Sequence, residues 1–198
     1  YPGSHLVTIH GPMPMLDSFW LPGRDENRMQ MFSALCESKL AAAFPPVSGE
    51  VLCKGPSKPG RLVGGNLTCL LACEGSKWAV ERDEDIILIL EDVNERPYRL
   101  DRMMAQLRNA GILDACVGLV LGDFGENKAS QEELFTEFTD EAHFWNVVVG
   151  LGSLGIPILY HARIGHGDEH NHPLALGAMY EVTCISGQTV GTLTILDK

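Results

Sequence analysis

The chain has 198 residues, of which 45% are hydrophobic and 21% are charged, and its net charge is −11. These values are typical of a folded globular protein with one or two domains and exclude a disordered chain. The acidic balance repels phosphate backbones and anionic lipid, and no apolar run approaches the roughly 18 residues of a membrane span, so we expect neither nucleic acid nor a membrane as a partner.

The first part of the chain predicts a short strand, a helix and a linker. Leu6 to Ile9 alternates weakly, as in a short strand. A helix is predicted from Arg28 to Phe44 because apolar side chains recur every three or four residues, at Met29, Phe32, Leu35, Cys36 and Leu40. The proline- and glycine-rich stretch 45–59 then indicates a linker, interrupted by a short strand at 50–53.

The middle of the chain predicts a βαβ unit. A short helix is expected over Leu67 to Cys73, after Gly64-Gly65-Asn66. Ile86 to Leu90 is a run of branched apolar residues, which is typical of a strand buried on both faces. An amphipathic helix from Tyr98 to Asn109 and a second buried strand from Val117 to Leu121 follow it. Strand, helix and strand in this order predict two parallel strands.

The last part of the chain predicts one helix and further strands. Ser130 and Glu133 have the spacing of a capping box, which opens a helix through Val149. Ile156 to Tyr160 reads as a short strand, and residues 178–185 and 189–196 read as a β-hairpin. The fold class is therefore α/β, with a βαβ core and a terminal β-hairpin.

Six cysteines are present, and they lie at positions 36, 53, 69, 73, 116 and 184. A chain of this length and apolar content does not need disulfides to fold, and no CxxC pair suggests a zinc ribbon. We therefore expect reduced and mostly buried thiols.

An acidic pair and an arginine series follow the first buried strand. Glu91 and Asp92 come directly after it, at the edge where parallel α/β sheets collect ligands. Three arginines then fall three residues apart, on one helical face, at Arg96, Arg99 and Arg102. They could bind a substrate carboxylate, or they could pair with neighbouring acids such as Glu95 and Asp101.

A histidine-rich loop is the second candidate for chemistry. Four of the seven histidines fall within twelve residues, at His161, His166, His170 and His172, with Asp168 between them. A metal site is one hypothesis, since imidazole and carboxylate groups bind zinc. However, the helical zinc motif HExxH does not occur, and the glycines at 165 and 167 indicate an irregular loop. A single histidine acting as a base is the alternative. No serine lies in a strand-turn-helix elbow such as GxSxG, so the nucleophile is missing.

Several motifs, taken together and in order, resemble the LD-carboxypeptidases. These are His10-Gly11-Pro12-Met13, Gly64-Gly65-Asn66-Leu67-Thr68, Leu90-Glu91-Asp92 with the segment 96–102, and Gly165-His166 with Asn171, Pro173, Leu176 and Gly177. The family comprises muramoyltetrapeptide carboxypeptidases and the microcin C immunity peptidases. The resemblance runs along almost the whole chain.

The resemblance implies a serine peptidase with a Ser-Glu-His triad, in which Glu91 and His166 are catalytic. The family's serine lies in a Gly-x-Ser-Asp elbow about twenty residues before the HGP loop, which would place it upstream of Tyr1. Residues 1–46 would then be the tail of a Rossmann-like N-terminal domain. Residues 47–198 would be a C-terminal domain of the swivelling β/β/α type, and the chain alone would be inactive.

The resemblance also implies a substrate and a setting. The substrate would be a murein tetrapeptide that loses its terminal D-alanine during cell-wall recycling, bound through Asn66, Arg96 and Asn171. A cytoplasmic homodimer without a metal or an organic cofactor is expected. Three alternatives stay open: a microcin-C-type hydrolase of aminoacyl-nucleotide peptides, a metal-dependent hydrolase using the histidine cluster at 161–172, and a non-catalytic peptide-binding module.

Overall fold

The structure is a computed structural model that describes residues 6–13, 25–36, 40–125, 135–136, 140–166, 171–185 and 187–196. Its strands are β1 (Thr8–His10), β2 (Val47–Cys53), β3 (Pro59–Asn66), β4 (Ile86–Glu91), β5 (Cys116–Leu121), β6 (Ile158–Tyr160), β7 (Leu174–Leu176), β8 (Met179–Cys184) and β9 (Val190–Ile195). Its helices are α1 (Asp25–Cys36), α2 (Leu40–Ala43), α3 (Leu67–Ala72), α4 (Pro97–Asn109) and α5 (Glu141–His143). A π-helical turn, Phe144–Val148, continues α5.

Within the described residues, seven strands close into a barrel in the order β2-β6-β5-β4-β3-β8-β9. Strands β3 to β6 run parallel to one another, whereas β2, β8 and β9 run antiparallel to their neighbours. The predicted βαβ unit is confirmed as β4-α4-β5. The predicted terminal hairpin is confirmed as β8 and β9. Outside the barrel, β1 pairs with β7.

The unbroken apolar run of β4 is explained by burial on two sides of the barrel wall. Every residue of β4 and β5 is buried. Ile87 and Ile89 lie in the inner cluster of side chains contributed by the barrel strands. The alternate residues of β4 pack outward with α4, through Leu100, Met104 and Leu107 of that helix. Because successive side chains of a strand point to opposite faces, both sets must be apolar.

The predicted linker over 45–59 is wrong, because most of it is strand. Strand β2 pairs with β9 on one side and with β6 on the other, so it is an integral part of the barrel. The short strand predicted at 50–53 is confirmed as part of β2. Strand β3 was not predicted, since its glycines resemble a turn. Gly64 instead serves close packing, because a Cβ there would lie 2.0 Å from the Ile89 carbonyl oxygen on β4.

The predicted helix over 28–44 is two helices in the structure, α1 and α2, and residues 37–39 lie outside the described residues. Three apolar side chains of α1, predicted to share one face, are exposed: Met29 by 67%, Phe32 by 52% and Leu35 by 69%. The capping box at Ser130 also lies outside the described residues. The later part of that predicted helix corresponds to α5 and the π-helical turn.

All six cysteines are free thiols. Cys116 is buried as expected, but Cys36 and Cys69 are exposed, which corrects the expectation that the thiols are mostly buried. No helix in the described ranges is both long enough and apolar enough to span a membrane.

Candidate active site

The carboxyl ends of β3 and β4 form the edge at which the site is assembled. Asn66 ends β3 and lies beside Glu91, which ends β4, because the two parallel strands are paired in this register. The loop that follows β6 carries His166 to the same edge. Nδ1 of His166 lies 2.7 Å from Oε2 of Glu91, although 75 residues separate the two in sequence.

Glu91 is a buried carboxylate, with only 1% of its side chain exposed. Burial alone would raise the pKa of Glu91, but the two imidazoles beside it, those of His10 and His166, outweigh burial and lower that pKa below its ordinary value. Glu91 is therefore ionised at neutral pH and acts purely as an acceptor.

His166 is half-exposed, with 41% of its side chain accessible to solvent. Its hydrogen bond to Glu91 raises the pKa of His166 above the ordinary value, against a smaller opposing effect of burial. Because an ionised carboxylate only accepts, Nδ1 must donate to it. The neutral imidazole then presents Nε2 as a free acceptor, which is the state that a general base requires.

The backbone around Gly165 holds the imidazole against the carboxylate. Gly165 has a φ of +119°, and a Cβ there would lie 3.1 Å from both Cβ and Oε2 of Glu91. Its N–H donates to Oδ1 of Asn171 at 3.2 Å. Asn171, which the resemblance implied as a substrate ligand, therefore uses its carbonyl oxygen to close the loop that carries His166.

Asp92 organises the neighbouring strand ends. It is 4% exposed, and its two oxygens accept from Nδ2 of Asn66 at 3.0 Å and from both the N–H and the hydroxyl of Thr68 at 3.0 and 2.8 Å. Oδ1 of Asn66 accepts from the N–H of Cys69 and caps α3. Among the described residues, one amide N–H of Asn66 has no acceptor. The role of Thr68 was not foreseen from the sequence.

The arginine face does not act as one group. Arg99 pairs with Glu95 at 3.0 Å, and Arg102 lies over the Tyr98 ring at 5.0 Å from its centroid. Arg96 is the N-cap residue of α4 and is exposed. Of the three, Arg96 is the one whose guanidinium has no interaction with another residue of the described ranges.

The histidines of the 161–172 loop point to different partners. His161 contacts Glu50 and Glu141, at 3.1 and 2.9 Å, and Nδ1 of His172 lies 3.2 Å from Oε1 of Gln30. Asp168 and His170 lie outside the described residues. Among the residues that are described, no group of three His, Cys, Asp or Glu side chains could hold a metal ion. The described residues therefore provide no ligand set for the hypothesis of a metal-dependent hydrolase.

A pH-dependent stability is expected from His161. Partial burial alone would lower its pKa, but hydrogen bonds and charge from Glu141 and Glu50 raise the pKa to about 9. The folded-state pKa of His161 lies above the unfolded value of about 6.5. Its contribution to the free energy of unfolding is therefore complete below pH 6.5 and is lost as the pH rises through about 9. The urea concentration at the midpoint of unfolding should therefore decrease as the pH is raised from 6 to 9.5.

The His161→Gln variant is the matched control, because it keeps hydrogen bonding but does not titrate. Its urea midpoint should change less over the same pH interval. Since His161 is 40% exposed, solvent screening keeps the effect small. If the urea midpoint decreased equally with pH in the two proteins, His161 would not be the group responsible for the pH dependence.

No serine hydroxyl of the described residues contacts His166. Several serine hydroxyls of the described residues donate to backbone carbonyls instead, as Ser57 does to the carbonyl of Val182 at 2.7 Å. The described residues of the site therefore supply an imidazole hydrogen-bonded to a buried carboxylate.

Comparison with known proteins extends this picture. Residues 59–182 match the model of the LD-carboxypeptidase C-terminal domain. A Synechocystis protein that carries a carboxypeptidase name is 39% identical over 198 residues, which is 98% of this chain and 58% of that protein. The chain thus spans little more than half the length of this curated relative.

Solved structures show the same fold. The muramoyltetrapeptide carboxypeptidase from Oxalobacter formigenes superposes with a TM-score of 0.74 at 26% identity, over 96% of this chain and 62% of the other. The microcin C7 self-immunity protein MccF, in complex with glutamyl sulfamoyl guanosine, superposes with a TM-score of 0.69 at 18% identity, over 96% and 61%. The second likeness is one of fold alone.

Proposed function

Because the chain belongs to the LD-carboxypeptidase family, we propose that it supplies the base and its orienting acid to a serine peptidase that removes the terminal D-alanine of murein tetrapeptides. The observation that carries this proposal is the 2.7 Å contact between His166 Nδ1 and Glu91 Oε2. A buried, ionised carboxylate bound to a half-exposed imidazole is the acid–base half of a catalytic triad. The nucleophilic serine would come from outside these 198 residues.

The proposed reaction uses Nε2 of His166 twice. Nε2 takes the proton of the serine hydroxyl as its oxygen attacks the carbonyl carbon of the L,D peptide bond. It then gives that proton to the nitrogen of the leaving D-alanine, and an acyl-enzyme forms. Water repeats the sequence, which releases the shortened peptide and restores the serine. In both steps Glu91 stabilises the imidazolium and keeps Nδ1 protonated.

The remaining site residues are proposed as substrate ligands. The exposed guanidinium of Arg96 suits the terminal carboxylate of the peptide, since a guanidinium binds carboxylates through two parallel hydrogen bonds. The amide N–H groups of Asn66 and Asn171 that have no acceptor among the described residues would donate to peptide carbonyls. This assignment is supported by the position of Asn66 at the end of β3 and by the bond between Asn171 and the backbone beside His166. Arg96 begins the helix that follows β4.

The domain plan and the setting are part of the same proposal. Residues 1–46 would belong to a Rossmann-like N-terminal domain and residues 47–198 to the swivelling C-terminal domain. A cytoplasmic homodimer is proposed for the whole protein. These features rest on family membership.

The decisive experiment is a D-alanine release assay with the full-length protein. We expect release from a murein tetrapeptide and at least about 100-fold lower kcat/KM for the same peptide ending in L-alanine, because inverting the terminal centre misplaces its carboxylate. D-Alanine is measured with a coupled D-amino acid oxidase. The rate should be unchanged by a chelator, whereas a metal-dependent hydrolase would lose activity.

Two outcomes would replace the proposal. Tight binding of the tetrapeptide without any release of D-alanine would indicate a peptide-binding module. Faster hydrolysis of an aminoacyl sulfamoyl nucleoside than of the tetrapeptide would favour an immunity-type hydrolase, the alternative suggested by the ligand in the self-immunity protein structure.

A further inference from the structure

Glu91 has two carboxylate oxygens, and its hydrogen bond to His166 uses only Oε2. The other oxygen, Oε1, lies 3.7 Å from Nε2 of His10. In the described part of the chain, His10 is the side chain that faces Oε1. Because Glu91 is almost completely buried, water has little access to that oxygen. His10 therefore lies where a buried carboxylate needs its second donor.

The fold holds His10 in this place. Strand β1 pairs with β7, and His10 is in register with Leu174. The imidazole is 18% exposed and lies against Gly65 of β3, where a Cβ would be 3.1 Å from Cδ2 of the ring. A side chain at position 65 would press on the imidazole. The glycine thus leaves the space that His10 occupies beside Glu91.

The surroundings of the ring favour one tautomer. Nδ1 of His10 is buried and has no hydrogen-bond partner within the described ranges. A neutral imidazole carries its proton on one nitrogen. A proton on Nδ1 would be buried without an acceptor and would turn the Nε2 lone pair toward an anion. A proton on Nε2 instead points at Oε1, and at 3.7 Å the contact is an attraction between charge and dipole, longer than a hydrogen bond.

We propose that His10 is a positioning residue for the Glu91–His166 pair, with its Nε2–H limiting rotation of the carboxylate so that Oε2 stays aligned with Nδ1 of His166. The proposal rests on the proposed function, in which His166 is the base. His10 touches no reacting atom and acts through Glu91. One imidazole thus faces each oxygen of the carboxylate, and the nearby charges of Asp92 and Asp123 act on His166 as well.

The test compares three variants of the full-length protein: His10→Ala, His10→Gln and the control His143→Ala. His143 is an exposed histidine on α5, and it makes no hydrogen bond or ion pair with Glu91 or His166. We expect His10→Ala to lower kcat for D-alanine release by about 10- to 100-fold with KM changed less than about threefold, since misalignment affects the chemical step. His10→Gln should recover most of the loss, because its amide nitrogen can replace Nε2–H.

A second readout does not depend on turnover. The Glu91 carboxyl, followed by ¹³C NMR in the 198-residue chain, should titrate at higher pH in His10→Ala than in the unchanged chain, and His10→Gln should move it back. If His10→Ala does not fold, His10→Leu replaces it. A Glu91 titration and a kcat that match those of His143→Ala would overturn the proposal, as would a loss that His10→Gln does not recover. If the unchanged protein releases no D-alanine, the proposed function fails, and the Glu91 titration still decides the role of His10.

Discussion

Replacing His166 with alanine in the full-length protein should lower kcat for D-alanine release by at least about 10⁴-fold. In the proposed mechanism the imidazole takes the proton of the attacking hydroxyl and returns it to the leaving amine, so its loss removes both transfers. KM should change little, because the imidazole contributes little to ground-state binding. A steady-state assay at saturating tetrapeptide measures the effect, and His143→Ala should retain the unchanged rate.

Glu91→Gln tests the same assignment from the other side of the hydrogen bond. The amide removes the negative charge that raises the pKa of His166, so that pKa should fall. A histidine must be neutral to act as a base, so kcat/KM rises with pH through the pKa of His166 in the substrate-free enzyme. The acidic limb of the pH profile should therefore move to lower pH, while kcat falls by about 10³- to 10⁴-fold. A His166→Ala protein that retains more than a tenth of the activity would refute the assignment.

The βαβ core was predictable because its signals are local and strong. Five consecutive branched apolar residues, 86–90, need two buried faces, and the structure provides an inner cluster and the helix α4. The terminal hairpin was equally clear from alternation. In these segments, periodicity, burial and pairing all lead to the same assignment.

Strand β3 was missed and β2 was predicted only over 50–53, for a different physical reason. Glycine and proline usually mark turns, and β2 and β3 contain or adjoin several of both. In β3, Gly64 is required because the backbone of β4 approaches too closely for any Cβ. That requirement depends on a neighbouring strand more than twenty residues away, so no local pattern could reveal it. The same holds for β7, which has three residues and is a strand only through its pairing with β1. The weak alternation at 6–9 did predict β1 itself.

The site was predictable only in part. The position of Glu91 at the carboxyl end of a buried strand followed from general α/β geometry. The choice of His166 among four histidines came from the resemblance, since the partners of His161 and His172 are set by tertiary packing. The contact between His10 and Glu91 depends on the pairing of β1 with β7, which lies beyond local reasoning. Local sequence patterns therefore locate Glu91, whereas the pairing of Glu91 with a particular histidine depends on the tertiary fold.

Gly64→Ala should be the most destabilising of the glycine substitutions, with a loss of at least about 3 kcal/mol in the free energy of unfolding. A Cβ at this position would lie 2.0 Å from the carbonyl oxygen of Ile89 and 3.0 Å from its carbonyl carbon and nitrogen. These are backbone atoms of the paired strand β4, so relief requires the two strands to separate. The φ of +121° adds strain of its own for an alanine.

The matched control is Gly75→Ala, in the turn after α3. Gly75 also has a positive φ, +79°, but a Cβ there would meet no atom within 4 Å. That variant carries backbone strain without a clash and should lose only about 1–2 kcal/mol. For a chain of this size the Tm should fall by roughly 2–4 °C per kcal/mol, so Gly64→Ala should melt several degrees below Gly75→Ala. Equal melting temperatures would mean that β3 and β4 are not packed as closely as the structure places them. Because Asn66 and Glu91 end these same two strands, that result would also remove the support for the edge on which the candidate active site is built.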